Sequence, residues 1–118
     1  CWYPNPSYRN YFFQSEAHNV VLFNGKGQSR EQQYHGSMLR GYLHYLLDAD
    51  NVKYVLANGT GTYLDQFSRN FRYFLWIDDV IYMIDDLKTH DVGHFEWLWH
   101  PGEKKEKRGI DTIIGVVF

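Results

Sequence analysis

The stretch Arg69-Asn-Phe-Arg-Tyr-Phe-Leu-Trp-Ile77, then Asp78-Asp79, then Val80-Ile-Tyr-Met-Ile84, constrains this chain more than any other. Aromatic and β-branched residues favour the pleated, half-buried surface of a strand. Adjacent aspartates favour a tight turn, because their side chains bond to nearby backbone. The stretch therefore predicts an antiparallel hairpin with strands over 69–77 and 80–84. Around it, residues 19–24 predict a short apolar strand that ends in an Asn24-Gly25 turn. Val52, Tyr54 and Leu56 alternate with Lys53, Val55 and Ala57 and predict another strand. His94, Glu96, Leu98 and His100 alternate with Phe95, Trp97 and Trp99 over 93–100, with the aromatic side as core. A last strand is expected over 112–118, after a mixed-sign charged turn at 103–108.

Residues 36–50 allow two readings. Met38, Leu39, Tyr42, Leu43, Leu46 and Leu47 have helical spacing, yet as a strand the segment divides into two regular faces. The surrounding strands favour the strand. Six or seven strands at spacings of about 8–12 residues predict an all-β chain, an antiparallel β-sandwich segment within a larger multi-layer β domain. Nothing alternates strand with helix, so a parallel α/β sheet is not expected. Residues 1–18, rich in Pro, Asn and aromatics, read as an irregular arm, and 19–118 as antiparallel strands.

At 118 residues the chain has room for one domain. A net charge of −2 supplies no basic field to draw nucleic acid or an anionic membrane. No run of about 18 apolar residues is available to span a bilayer, and no signal peptide is recognisable. The single cysteine, Cys1, leaves no internal disulfide to form. Opening on Cys and stopping at Phe118 inside an apolar run, the sequence reads as a piece of a longer protein.

Among residues that could carry chemistry, His18 comes first. It stands with Asn19 at the entrance of the first strand, where a sheet would hold the ring while leaving it facing outward. Neutral imidazole is the commonest protein ligand for metals, and a neighbouring carboxamide can orient it or bind substrate. The plain alternative is a histidine satisfied by a backbone carbonyl. His94, Glu96 and His100 suggest a cupin-like metal site, but six residues of extended strand separate the two histidines by about 20 Å. His35, His44 and His90 fall in or near polar turns and read as solvated. The pairs Asp78-Asp79 and Asp85-Asp86 read as turn residues, although paired carboxylates also serve acid–base or calcium chemistry. Asn58-Gly59-Thr60 fits a glycosylation sequon, a pattern common by chance. These residues alone assemble no complete catalytic set.

Tyr11-Phe12-Phe13-Gln14-Ser15-Glu16-Ala17-His18-Asn19-Val20-Val21-Leu22-Phe23-Asn24-Gly25 resembles a motif of the heparinase II/III-like polysaccharide lyases. Asn70-Phe71-Arg72-Tyr73, the segment from Trp76 to Leu87, and Phe95-Glu96-Trp97-Leu98-Trp99-His100 follow the same plan. The resemblance implies the β-sandwich portion of an enzyme that also has an α/α toroid and cleaves acidic polysaccharides, such as glycosaminoglycans or alginate, by β-elimination. It implies a periplasmic or secreted setting and a zinc ion, with His18 as one ligand and the others upstream. Substrate-binding roles fall to Asn19 and, among the nearby tyrosines Tyr3, Tyr8 and Tyr11, to Tyr11. The catalytic residues would all lie outside this chain. A rival reading is a non-catalytic carbohydrate-binding or structural module whose platform is Trp2, Tyr3 and Tyr8, or Trp97 and Trp99 if these face outward.

Overall fold

The computed structural model describes residues 11–29, 38–63 and 65–100. Within them six strands form two antiparallel sheets: β1 (Val21–Phe23), β2 (Tyr42–Asp48), β3 (Val52–Asn58), β4 (Phe67–Ile77), β5 (Val80–Thr89) and β6 (Phe95–Trp97). β1 pairs with β6, and the other four make a sheet in the order β2-β3-β4-β5. Short 3-10 turns occupy Ser15–Ala17 and Thr60–Thr62, and no α-helix is present among the described residues. The all-β, antiparallel expectation holds.

The central hairpin pairs Ile77 with Val80, so Asp78-Asp79 is a two-residue turn. Asp78 adopts φ 50°, a left-handed conformation that Asp tolerates better than branched residues do. At the other turn, Asn24 and Gly25 have φ 51° and 71°, and Phe23 and Lys26 exchange two backbone hydrogen bonds of 3.0 Å. Positive φ at both central residues is one of the two turn forms whose twist matches the flanking strands, and Asn-Gly supplies it.

Several expectations need correction. Strand β5 runs to Thr89 rather than Ile84, so Asp85 and Asp86 lie within a strand and not at a turn. The cause is the partner: β4 is eleven residues long and offers a ladder well past Ile84. Residues 93–100 shrink to the three-residue β6, because β1 opposite it has only three residues to pair. Trp97 and Trp99 are not core; they are 46% and 63% exposed, while Phe95 is half-buried. His44 lies inside β2 and not near a turn, although it is exposed. The strand reading of 36–50 holds over Tyr42–Asp48, since pairing with β3 satisfies its backbone where helical spacing offered only one apolar face. The expected strand at 112–118, the charged turn at 103–108, His35, Cys1, Trp2, Tyr3 and Tyr8 lie outside the described residues.

The core gathers where the small sheet meets one end of the large one. Val21 and Phe23 of β1 pack with Tyr63 and with Phe67 of β4, backed by Leu87 and Phe95. The Phe67 ring stands edge-on to Tyr63 at 5.0 Å and to Phe23 at 5.9 Å. Elsewhere the large sheet is bare: Leu43, Leu46, Phe74, Trp76, Ile81, Met83 and Ile84 are all exposed.

Candidate functional site

The site grows from the lead-in to β1. Tyr11, Phe12 and Phe13 open it, with Tyr11 edge-on to Phe12 at 5.3 Å. The 3-10 turn follows, and the His18 N–H closes it by donating to Ser15 O at 3.0 Å. Ser15 Oγ accepts the Gln28 N–H at 2.9 Å and so ties the turn to the segment after β1. This brings His18 back over its own approach, with Nε2 2.9 Å from the Phe12 carbonyl oxygen. A carbonyl only accepts, so Nε2 carries the proton and Nδ1 of the neutral ring keeps its lone pair. The ring is exposed. An imidazole anchored to backbone through one nitrogen is how metal-binding histidines are commonly held.

Asn19 is held from two directions. Its side-chain Oδ1 accepts the His100 N–H at 2.7 Å, and its main-chain oxygen accepts from Arg72 Nη1 at 2.7 Å. His100 Nε2 in turn donates to Glu16 O at 2.9 Å, so the end of the β6 segment is laced onto the lead-in. The β1–β6 ladder continues to this point, with the Leu98 N–H donating to Val20 O at 2.9 Å.

Beneath Asn19 lies an ion pair that reading the residues one by one did not find. Arg72 faces Asp85 across the β4–β5 ladder. Nε and Nη2 of the guanidinium reach Oδ1 and Oδ2 of the carboxylate at 2.7 and 2.9 Å. The Asp85 side chain is only 4% exposed and that of Arg72 19%. Two-point pairing gives orientation as well as energy. Asp85 Oδ2 also accepts the Trp97 Nε1–H at 2.9 Å. One guanidinium–carboxylate unit on the large sheet thus holds Asn19 from β1's approach and Trp97 of β6. The hairpin register contained the signal: pairing Ile77 with Val80 places residues 72 and 85 opposite one another.

Tyr63 completes the seam. Its hydroxyl donates to Val21 O at 2.7 Å from a buried position. Burial pushes the phenol up to about 12, the Asp85 charge adding to the effect and Arg72 opposing it.

The remaining candidates do not join this group. His94 Nε2 lies 3.1 Å from Glu96 Oε1, whereas His100 is engaged with Glu16, so the cupin-like set is not assembled. Among the described residues no group of three or more His, Cys, Asp or Glu is placed to hold a metal. Asn58 of the sequon accepts the Thr60 N–H through Oδ1, and its Nδ2 contacts His44 Nε2 at 2.9 Å.

No curated protein and no solved structure matches the chain. A family model does match, over residues 2–112, described as heparinase II/III-like, C-terminal. That span takes in the His18-Asn19 lead-in, the Arg72–Asp85 hairpin and the His100 end of the β6 segment, and the chain belongs to the heparinase II/III-like C-terminal family.

Proposed function

We propose that this chain is the β-sandwich portion of a periplasmic or secreted lyase that cleaves uronate-containing polysaccharides by β-elimination. The exposed apolar residues of the large sheet support a place within a larger multi-layer β domain, since clustered apolar surface of this kind marks faces made to be covered. In the reaction a base takes the proton at C5 of the uronate. The electrons of that C–H bond form the C4–C5 double bond, the C4–O bond breaks, and the departing oxygen is protonated. The groups that move these protons belong to other parts of the protein, the α/α toroid and upstream β residues. This chain's share is binding and organisation.

His18 is the residue assigned to zinc, through Nδ1. A single observation carries this: the ring is exposed and its Nε2–H is spent on the Phe12 carbonyl, so the lone pair on Nδ1 is the one available to a ligand. Zinc there would neutralise acidic groups and knit the upstream ligands to the lead-in. Asn19 is assigned to substrate through Nδ2, its Oδ1 being engaged with His100. Tyr11, exposed on the same lead-in, is assigned to the glycan as well.

Metal analysis of the full-length protein tests the assignment. One zinc per molecule is expected in the wild type, with loss in His18→Ala. A wild type without zinc, or His18→Ala with full occupancy, overturns it. Ultraviolet absorbance of the unsaturated uronate product tests the reaction independently, and this chain alone is expected to give none.

A further inference from the structure

We infer that Trp97, fixed against the Arg72–Asp85 pair, forms with Asn19 a subsite that takes the pyranose ring of an acidic glycan. The inference rests on the polysaccharide reading above and adds to it the residue on which the sugar lies. The indole N–H is the only polar atom of that side chain, and it is turned inward to Asp85 Oδ2 at 2.9 Å. With the residue still 46% exposed, what its side chain offers to solvent is hydrocarbon. Flat aromatic hydrocarbon suits the C–H face of a sugar ring, which otherwise presents only hydroxyls.

The ring is also preorganised. Its N–H is held by a carboxylate that is itself gripped at two points by Arg72, and its flank packs on Phe95 with centroids 5.8 Å apart. A platform already locked in one rotamer loses little entropy when a ligand arrives. The same guanidinium donates to Asn19 O at 2.7 Å, so the platform and Asn19 are set by one shared group. Asn19 directly follows the proposed metal ligand His18, which places the stacked sugar beside the uronate-handling end of the lead-in.

Two further tryptophans are exposed among the described residues. Trp76 donates to Asp78 O at the far hairpin turn, and Trp99 is 63% exposed. Trp76 is therefore the control.

The test is calorimetric titration of the full-length protein with heparan, chondroitin and alginate oligosaccharides. For whichever of them binds the wild type, Trp97→Ala is expected to weaken binding about tenfold. Trp97→Phe, which keeps a ring on Phe95 but loses the tie to Asp85, is expected to fall between, and Trp76→Phe to match the wild type. Should Trp97→Ala not fold, Trp97→Phe decides the matter by whether its affinity drops. A wild type that binds while both Trp97 variants bind equally well overturns the subsite alone. A wild type that binds none of the three glycans overturns the polysaccharide reading, and the subsite with it.

Discussion

Replacing Arg72 by Met should be among the most damaging single changes in the chain, and the structure sets its size. The substitution keeps the hydrocarbon length but removes both hydrogen bonds to Asp85 and the one to Asn19 O. Asp85, at 4% side-chain exposure, is then a carboxylate out of water that has lost its cation and keeps the Trp97 N–H. Breaking a buried pair from one side costs about 3–5 kcal/mol, because the remaining charge is uncompensated. Set against a total domain stability of about 5–15 kcal/mol, that is a large fraction. The double change Arg72→Met/Asp85→Leu removes both charges and should recover most of the loss. Urea unfolding of the four proteins of this cycle measures the coupling directly, expected at about 2 kcal/mol or more. Arg69–Asp86 provides the comparison: at 2.8 Å it is just as short, but its side chains are 43% and 39% exposed. Water screens such a pair, and Arg69→Met should cost about 1 kcal/mol or less. If Arg72→Met costs no more than Arg69→Met, or the cycle shows no coupling, the reasoning from burial is wrong.

Tyr63→Phe removes the hydroxyl that donates to Val21 O and strands a buried carbonyl, at about 1–2 kcal/mol in equilibrium unfolding. The same variant separates an alkaline effect. The phenol rises from an ordinary 10.0 to about 12 on folding, so the unfolded chain loses this proton first as pH climbs. The stability that the protonated phenol contributes is complete below pH 10 and is lost as pH rises through 12, a fall of about 2–3 kcal/mol. Tyr63→Phe should lack this component, and identical alkaline profiles for the two proteins would refute it. Gly93→Ala would place a Cβ 2.5 Å from both Phe23 Cζ and Asn24 Oδ1, and Asn24 Oδ1 accepts the His94 N–H. Overpacking of this kind costs about 1–3 kcal/mol, seen as a lowered Tm, and an unchanged Tm would show that the β1 turn can yield.

What the sequence disclosed and what it hid have physical reasons. Alternation and turn chemistry are local, so the hairpin at Asp78-Asp79, the Asn24-Gly25 turn and the alternating run from Val52 were legible. Residues 36–50 were ambiguous because apolar groups stand on both faces of β2, which blurs period 2 into something close to helical spacing. Asp85-Asp86 read as a turn because aspartate pairs favour turns, and only the extended hairpin register reveals Arg72 opposite. Trp97 read as core because alternation assigns faces without saying which face is covered, or how far. Tyr63 gave no local signal, since its partner Val21 is 42 residues away. His18 stood out by its place at the strand entrance, but only the family motif tipped it towards metal, since its spacing to other histidines offered no second ligand.

The place of the ion pair in the large sheet explains why the site forms where it does. Residues 70, 72, 74 and 76 of β4 share one face with 87, 85, 83 and 81 of β5. At one end of that face Leu87 lies under the small sheet and belongs to the core. At the other, Phe74, Met83, Trp76 and Ile81 are exposed. Arg72 and Asp85 occupy the step between the covered and bare parts of the face. An apolar pair there would extend the core but could neither hold the Asn19 main chain nor accept the Trp97 N–H. The charged pair does both, and its cost is moderated because Arg72 keeps some contact with water at the step. A step in a sheet sandwich is also where an extended ligand can reach the backbone of one layer and the aromatic side chains of another. The residues that hold the two sheets together are therefore those that set the candidate site, and a substitution that loosens one should loosen the other.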